Sequence, residues 1–234
     1  MEKISIIIPA YQAEQIIESS IQQLIQHYSD QEQYEIIVVN DGSRDKTQEI
    51  LEKYQKDIVV LTNKRNMGKG FSIKAGCQIA KGNYILFTDA DLPYGIAAMD
   101  SMISKFNKET TAIVGERRIM HASCWRKITH WGFAFCERLI LGIEFSDTQC
   151  GLKGFKAPIL KEIRKISIIN RFGFDVEIIY LLQKARIPID FLEVPDANYN
   201  NSTIKLKDVI DMINELWKIK SHKYDLTNLK KVYE

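Results

Sequence analysis

The sequence predicts an α/β protein built on a Rossmann-like open, mostly parallel sheet with helices on its faces. Short runs rich in Ile and Val recur along the first half of the chain, and each run is apolar almost throughout. Strands that are covered on both faces, as in parallel sheets, have this composition. Segments with helical periodicity separate the runs, and this alternation of strands and helices favours an open α/β sheet.

The pattern places the elements in a definite order along the chain. The predicted strands are Ile4–Ile8, Glu35–Val39, Ile58–Leu61, Tyr84–Thr88, Thr111–Gly115, Cys150–Phe155 and Ile187–Val194. The predicted helices are Glu14–Tyr28, Asp45–Tyr54, Lys69–Ala80, Ser123–Ile143, Asp175–Ala185 and Leu206–Lys220. No repeat or linker interrupts the pattern, so we expect a single domain over residues 1–222 and a C-terminal tail over residues 223–234.

Composition and charge exclude several classes of protein. The chain has 234 residues, of which 45% are hydrophobic and 26% charged, as in ordinary globular proteins. The net charge of +2 argues against binding nucleic acid through bulk charge. The longest uncharged run is the polar 11-residue segment Ser19–Ser29, and a membrane-spanning helix needs about 20 apolar residues. With no signal-peptide pattern and no CxxC pair among four cysteines, we expect a cytoplasmic protein with reduced thiols.

The positive charge is concentrated in the middle of the chain. Residues 116–171 carry 11 basic and 5 acidic side chains, a net charge of +6. Such a segment is either a solvated face or a surface that binds an anion such as a phosphate, a nucleotide or an acidic lipid. Charge alone favours the solvated face.

Polar residues follow each of the first four predicted strands. Ligands of open α/β sheets bind beyond the carboxyl ends of the strands, so these residues predict a single site. The sharpest feature is Asp89-Ala90-Asp91, because residues two apart in extended chain point the same way. A hard divalent cation such as Mg²⁺ or Mn²⁺ would relieve the repulsion of the two carboxylates. The alternative is that one Asp caps the next helix and the other faces water, and the buried strand before them favours the metal.

Two further strand ends have alternative interpretations. Asp41-Gly42-Ser43 is either a turn with a helix cap or a site where Asp41 accepts hydrogen bonds from a base or ribose. Asn66-Met67-Gly68-Lys69-Gly70 opens a predicted helix, where glycines and a lysine suit a phosphate. The spacing matches neither GxxxxGK[ST] nor GxGxxG, since Ile73 occupies the third glycine position. This argues against a P-loop NTPase and a dinucleotide dehydrogenase.

The combined order of these motifs resembles glycosyltransferase family 2. The motifs that carry the resemblance are Pro9-Ala10-Tyr11 with Glu14, Asp41-Gly42-Ser43-Arg44-Asp45, Asn66-Met67-Gly68-Lys69-Gly70 and Asp89-Ala90-Asp91. Two later motifs are similar to the polyprenyl-phosphate sugar transferases, most of all the dolichyl-phosphate β-glucosyltransferases: Asp147-Thr148-Gln149-Cys150-Gly151 and Phe172-Gly173-Phe174-Asp175-Val176-Glu177. The resemblance extends from about Ile4 to Lys207.

The resemblance implies a GT-A fold and an inverting, metal-dependent glycosyltransferase. A sugar, implied to be glucose, would pass from a UDP-sugar to a polyprenyl or dolichyl phosphate. Residues 1–115 would form the nucleotide-sugar and metal half, and residues 116–222 the acceptor half. The residues implied to bind the nucleotide sugar are Pro9, Tyr11, Glu14, Asp41, Lys69 and Asp89. Asp89 and Asp91 would bind Mg²⁺ or Mn²⁺, and the catalytic residues would be Asp91 and Asp147, the latter as donor ligand or base. The residues implied to bind the acceptor are Arg117, Arg126, Ser202 and Lys205.

Departures from the family leave two alternatives open. Gln12-Ala13-Glu14 stands where the family often has Asn-Glu-Glu, and no membrane helix is predicted, although lipid-linked members often have one. One alternative is a glycosyltransferase acting on a soluble or glycan hydroxyl, for which Asp147 would be the base. The other is a non-catalytic sugar-nucleotide-binding protein.

The predicted helix Ser123–Ile143 bears on the choice of acceptor. Its apolar residues Trp125, Ile128, Phe135 and Leu139 recur near helical spacing, and most of its basic residues fall elsewhere on the helix. A basic amphipathic helix with tryptophans can lie in a membrane interface, and an ordinary amphipathic helix packs against the core. The sequence slightly favours core packing, and the membrane alternative would give peripheral contact with the cytoplasmic face.

Overall fold

The computed structural model describes residues 2–117, 124–145, 147–195 and 206–233, with the backbone alone for residues 124–130 and 206–210. Within these ranges the strands are β1 (Ile4–Ala10), β2 (Tyr34–Asn40), β3 (Val59–Thr62), β4 (Tyr84–Phe87), β5 (Ala112–Arg117), β6 (Lys153–Lys156) and β7 (Asp190–Val194). They form one seven-stranded sheet in the order β3-β2-β1-β4-β6-β5-β7. Every neighbouring pair is parallel except those that involve β6.

Helices flank this sheet and connect its strands. They are α1 (Ile17–His27), α2 (Thr47–Glu52), α3 (Lys69–Ile79), α4 (Gly95–Ser104), α5 (Cys124–Leu141), α6 (Ala157–Ile166), α7 (Phe174–Ala185), α8 (Leu206–Ser221) and α9 (Thr227–Tyr233). The predicted α/β architecture with a mostly parallel sheet is confirmed.

The continuous apolar runs are explained by two hydrophobic layers. Successive side chains of a strand point to opposite faces, so Ile6 and Ile7 enter different layers. The layer of Ile7 and Phe87 packs with residues of α3, α6 and α7, and the layer of Ile6 and Leu86 packs with residues of α1 and α4. Because helices cover both faces, each central strand is apolar at nearly every position.

Several elements differ from the prediction, most of them in the second half of the chain. β6 begins at Lys153, three residues after the predicted start, and runs antiparallel to both of its neighbours. β7 likewise begins at Asp190, later than predicted. Helices α4, α6 and α9 were not predicted at all.

The segment interpreted as a C-terminal tail contains helix α9, which packs against the domain. Leu229 of α9 is buried, and the Tyr224 hydroxyl donates a hydrogen bond to Glu177 Oε1 at 2.7 Å. Among the described residues, no helix has the length and the apolar composition needed to span a bilayer.

Candidate active site

The ends of several strands meet at one edge of the sheet. β1, β2, β3 and β4 are parallel, so their carboxyl ends lie together. β6 is antiparallel to both β4 and β5, so β5 also ends at this edge, and the loop that leads into β6 reaches it there. The pairing of Phe87 with Lys153 fixes this arrangement. The antiparallel strand therefore brings the Asp147–Gly151 motif to the strand-end residues of the first half.

An open cleft of about 420 Å³ lies beyond β1, β2 and β3. This volume is in the usual range for small-molecule sites. Its lining residues are Tyr11, Asn40, Gly42, Ser43, Arg44, Gln48, Thr62, Asn63, Lys64, Arg65 and Asn66. The Tyr11 side chain is exposed, so an aromatic face is open to a ligand there.

Asp41 is buried and organises the loop that borders this cleft. Its Oδ1 accepts hydrogen bonds from Asn63 Nδ2 at 2.7 Å and from the Met67 N–H at 2.9 Å, and its Oδ2 accepts one from the Gly68 N–H at 2.7 Å. Gly68 has a φ of +103°, and a Cβ there would overlap the backbone carbonyl of Asn170. Asp41 and Gly68 thereby set the conformation of the chain that delivers Lys69.

Glu14 and Pro9 are not among the residues that line this cleft. Glu14 is exposed, and its Oε2 accepts a hydrogen bond from the Lys46 N–H at 2.9 Å. The Glu14 N–H in turn donates to Asp45 Oδ2 at 3.1 Å. Glu14 therefore ties the loop after β1 to the start of α2.

Lys69 joins two acids from different parts of the chain. Its Nζ lies 2.8 Å from Asp89 Oδ1 and 3.3 Å from Asp175 Oδ2. The other oxygen of Asp175 lies 2.5 Å from Nζ of Lys153, whose side chain is completely buried. Lys153 Nζ also donates to the Cys150 carbonyl at 2.5 Å. Four charged groups thus form a chain that runs from the core to the edge of the sheet.

The charges in this chain stabilise one another. Burial would lower the pKa of Lys69, but the charges of Asp175 and Asp89 outweigh burial and raise it. Burial would likewise raise the pKa of Asp175, but Lys153 and Lys69 hold it below its ordinary value. These directions indicate that Lys69 and Asp175 both carry their charges at neutral pH.

Asp89 and Asp91 have the chemistry of a divalent metal site. Partial burial raises the pKa of Asp91, and the negative charge of Asp89 raises it further. Asp89 Oδ2 packs against Gly151, where any Cβ would overlap the carboxylate. No group of three or more His, Cys, Asp or Glu side chains surrounds a common point in the described part of the chain. Two carboxylates fit Mg²⁺ or Mn²⁺ when phosphate oxygens complete the coordination, so the pair suits a metal that binds with a diphosphate.

Arg117 and Asp147 form a bidentate ion pair. Arg117 Nε donates to Asp147 Oδ2 at 2.7 Å, and Nη2 donates to Oδ1 at 2.6 Å. The Arg117 backbone N–H adds a third hydrogen bond to Oδ2 at 3.0 Å. Burial would lower the pKa of Arg117, but the hydrogen bonds and charge of Asp147 raise it. Both oxygens of Asp147 are therefore engaged, and Nη1 of Arg117 makes no bond to this carboxylate.

Glu137 of α5 is buried behind this ion pair. Its Oε1 accepts a hydrogen bond from Thr148 Oγ1 at 2.5 Å, which links α5 to the residue next to Asp147. Burial raises the pKa of Glu137 to about 7, with the charge of Asp147 adding to the shift and the Thr148 hydrogen bond opposing it. The carboxyl therefore titrates near neutral pH.

The titration of Glu137 predicts a pH-dependent stability. Its pKa is raised from 4.5 to about 7, so the folded protein binds the proton more tightly than the unfolded chain and loses stability as the pH rises through this interval. The Glu137→Gln variant lacks this titration. We expect its free energy of unfolding, relative to wild type, to rise by about 3 kcal/mol between the two pH values. Urea denaturation at a series of pH values measures the difference, and a constant difference would contradict the prediction.

The predicted acceptor residues are described only in part. Arg117 lies at the site, as stated above. Arg126 belongs to α5, where only its backbone is described. Ser202 and Lys205 lie outside the described residues. The roles of these three remain predictions.

Comparison with known proteins supports the family suggested by the motifs. The family model for glycosyl transferase family 2 matches residues 5–164. This chain belongs to glycosyl transferase family 2. A dolichyl-phosphate beta-glucosyltransferase from Trichomonas vaginalis is 30% identical over 238 residues, which cover 92% of this chain and 72% of that protein. Its counterpart from Dictyostelium discoideum is 29% identical over 252 residues, covering 93% and 77%. The protein is thus a family 2 hexosyltransferase.

A solved structure places this family 2 enzyme in the expected fold. Glucosyl-3-phosphoglycerate synthase from Mycobacterium tuberculosis, in complex with Mn²⁺, UDP-glucose and phosphoglyceric acid, matches with a TM-score of 0.68 and 15% identity. The match covers 97% of this chain and 80% of that one. The GT-A fold implied by the resemblance is confirmed.

Sequence reasoning missed several residues of this family 2 site. Asp175 was part of a motif used for the resemblance but had no role, and Lys153, Glu137 and Gly151 were not considered as site residues. A signal was present for Lys153, since a lysine inside a buried strand needs an acid partner. No local pattern identified that partner as Asp175.

Proposed function

We propose that the protein transfers a sugar from a UDP-sugar to a polyprenyl phosphate, with Mg²⁺ or Mn²⁺ on Asp89 and Asp91. The observation that carries the proposal is the position of the Lys69–Asp89 pair relative to the cleft and to the Arg117–Asp147 pair. Asp89, the partner of Lys69, follows β4. In the sheet, β4 lies between β1–β3, beyond which the cleft of small-molecule size opens, and β5, which ends at Arg117, the partner of Asp147. A nucleoside in the cleft would place its diphosphate at Asp89 and Lys69.

Each donor-binding group has a separate task in this proposal. Tyr11 presents a ring to the base, and Asp41 shapes the loop that places Lys69 beside the diphosphate. A metal on Asp89 and Asp91, when bound, supplies Lewis-acid stabilisation of the leaving diphosphate. The dolichyl-phosphate beta-glucosyltransferases among the relatives support glucose as the sugar, and the Mn²⁺ and UDP-glucose complex of the fold relative supports the donor and the metal.

The state of Asp147 favours a phosphate acceptor over a hydroxyl. A hydroxyl needs a general base, but both oxygens of Asp147 accept hydrogen bonds from Arg117 and its side chain is buried. A lipid phosphate is largely ionised near neutral pH, so it needs orientation more than deprotonation. Arg117 offers that orientation, because guanidinium groups match phosphate geometry and Nη1 is not used by Asp147. In this proposal Asp147 faces the reacting sugar and holds Arg117.

The outer face of α5 provides a surface for the membrane that carries such an acceptor. Trp131, Phe135 and Leu139 are 62%, 65% and 74% exposed, and their spacing of four residues places them in one stripe. Glu137 lies on the opposite side of the helix and contacts the Asp147 loop. α5 therefore connects an apolar surface to the acceptor side of the site, and a helix is only about 10 Å across.

The charge of this region suits an anionic membrane surface. Arg138 is exposed beside the stripe, and the whole segment 116–171 has a net charge of +6. Large apolar side chains with flanking basic residues are typical of helices in membrane interfaces. We therefore propose peripheral contact with the cytoplasmic face of a membrane. Of the apolar residues that predicted this contact, Phe135 and Leu139 are exposed, while the side chains of Trp125 and Ile128 lie outside the described residues.

A double substitution in the stripe tests the acceptor. We expect Phe135→Ser with Leu139→Ser to reduce sedimentation with anionic liposomes by about tenfold or more, since each buried side chain contributes about 1.5–3 kcal/mol. Transfer from UDP-glucose to polyprenyl phosphate in those liposomes should fall with it, while UDP binding stays unchanged. The matched control is Ile79→Ser with Val232→Ser, two exposed aliphatic residues on other helices.

The outcome also separates lipid and soluble acceptors. If wild type fails to bind liposomes at low salt and transfers sugar to a glycan hydroxyl, the soluble-acceptor alternative holds instead. If the control loses binding as much as the stripe variant, the stripe is not the contact surface.

A further inference from the structure

Lys69 forms an ion pair with Asp89, which the proposed function assigns as a metal ligand. Its Nζ is 2.8 Å from Asp89 Oδ1, so this ammonium and a divalent cation would compete for one ligand. The Lys69 side chain is only 13% exposed, and it is held at the point where α3 begins. The position of Lys69 is therefore a property of the fold and not of a mobile surface lysine.

Asp175 gives Lys69 a second, permanent partner. Asp175 Oδ2 lies 3.3 Å from Lys69 Nζ, and Asp175 Oδ1 is fixed by the buried Lys153 at 2.5 Å. Asp175 is itself almost entirely buried, with its side chain 4% exposed. If Lys69 left Asp89, its ammonium would still be paired with Asp175. The site thus holds a lysine that can change one partner without losing both.

The balance of charge favours such an exchange. Asp89, Asp91 and Asp175 are three acids, and Lys69 and Lys153 are two bases, so the cluster has one excess negative charge. A divalent cation alone would turn this into an excess positive charge, with Lys69 close to the ion. A diphosphate that arrives with the cation supplies negative charge to both. Metal and nucleotide should therefore bind far better together than separately.

We propose that Lys69 is a resident counter-ion of Asp89 that keeps metal affinity low until a nucleoside diphosphate is present. On arrival of the diphosphate, the ammonium exchanges Asp89 for a phosphate oxygen and stays paired with Asp175. The inference rests on the proposed function, because it takes Asp89 and Asp91 as the metal ligands. Its consequence is a positive coupling between Mn²⁺ and UDP that depends on Lys69.

This role is tested without any turnover by measuring the binding of Mn²⁺ alone. The electron paramagnetic resonance signal of free Mn²⁺ reports how much of the ion is bound. Lys69→Met keeps the aliphatic stem and removes the charge. Without UDP, we expect it to bind Mn²⁺ about tenfold more tightly than wild type, because a like charge within about 4–6 Å of the ion is gone. The added strengthening by UDP should shrink accordingly. Lys81→Met removes the same charge just beyond the far end of α3 and should leave both quantities unchanged.

A second variant separates release of Asp89 from a general change in charge. Lys69→Met with Asp175→Asn keeps the net charge of the cluster, and the amide oxygen can still accept the hydrogen bond from the buried Lys153. A melting temperature measured for each variant shows that only folded protein is compared. The double variant should also bind Mn²⁺ more tightly than wild type in the absence of UDP. If both variants bind Mn²⁺ no better than wild type while UDP strengthens wild-type binding, the role of Lys69 is wrong and the metal site stands. If wild type binds no Mn²⁺ even with UDP, the metal site and this inference both fail.

Discussion

Replacement of Asp91 by alanine should reduce sugar transfer at least about 10²–10³-fold, the usual cost of losing a group that stabilises transition-state charge. Asp91 is exposed, and Lys69 pairs with Asp89, so the substitution removes a proposed metal ligand and leaves the ion-pair chain intact. Little stability should be lost, because exposed polar groups contribute little to folding. Transfer of radiolabelled sugar from UDP-glucose to polyprenyl phosphate in membranes measures the effect.

The control for this variant is an exposed aspartate elsewhere. Asp57 precedes β3 at the opposite edge of the sheet, and Asp57→Ala should keep wild-type transfer. Thermal melting of both variants shows whether folding has changed. Unchanged transfer by Asp91→Ala with a normal melting temperature would disprove the metal role of Asp91, and with it the mechanism proposed for the donor.

The grouping of the strand-end residues of the first half was predictable because it depends on local rules. Short apolar strands separated by helices imply a parallel sheet, and parallel strands end at a common edge. Tyr11, Asp41, Lys69 and Asp89 therefore came together from their positions after strands, with no knowledge of distances. Even so, the geometry changed the interpretation of Asp41, which in the structure holds the loop before Lys69.

The Arg117–Asp147 and Lys153–Asp175 pairs were less predictable because they depend on one antiparallel strand. A four-residue strand such as β6 has no pattern that reveals its direction, and this direction brings Asp147 beside Arg117 and Lys153 beside Asp175. These partners are 30 and 22 residues apart in sequence. Each was visible alone as a charged residue, but only the sheet topology pairs them.

Two of the missed helices have weak local signals. α4 starts at Gly95, four residues after Asp91, and Gly95 has a φ of +71°, so the beginning of the helix resembles a turn. α6 starts immediately after β6, and Pro158 in its first turn is the only marker of the boundary. In both cases strand or turn features at the boundary hid a helix that tertiary packing stabilises.

Replacement of Arg117 by methionine should destabilise the fold and stop acceptor use together. The substitution leaves Asp147 buried without its bidentate partner, and breaking a buried ion pair in this way costs about 3–5 kcal/mol. Urea denaturation measures this loss. Adding Asp147→Asn should recover much of the lost stability, because the buried carboxylate charge is then gone as well. The amide oxygen can still accept the hydrogen bond from the backbone N–H at position 117. An additive loss in the double variant would show that the two residues do not act as a pair.

Arg117→Lys separates the structural role of Arg117 from its proposed contact with the acceptor. Lysine keeps the positive charge beside Asp147 but lacks the planar fork that can hold a carboxylate and a phosphate at once. We expect the fold to survive and UDP binding to be unchanged. The KM for polyprenyl phosphate should rise about tenfold or more, because one charge-assisted hydrogen bond to the acceptor is lost. If the KM for the acceptor is unchanged in a folded Arg117→Lys protein, Arg117 serves only to neutralise Asp147, and the acceptor phosphate must be bound elsewhere in the basic segment 116–171.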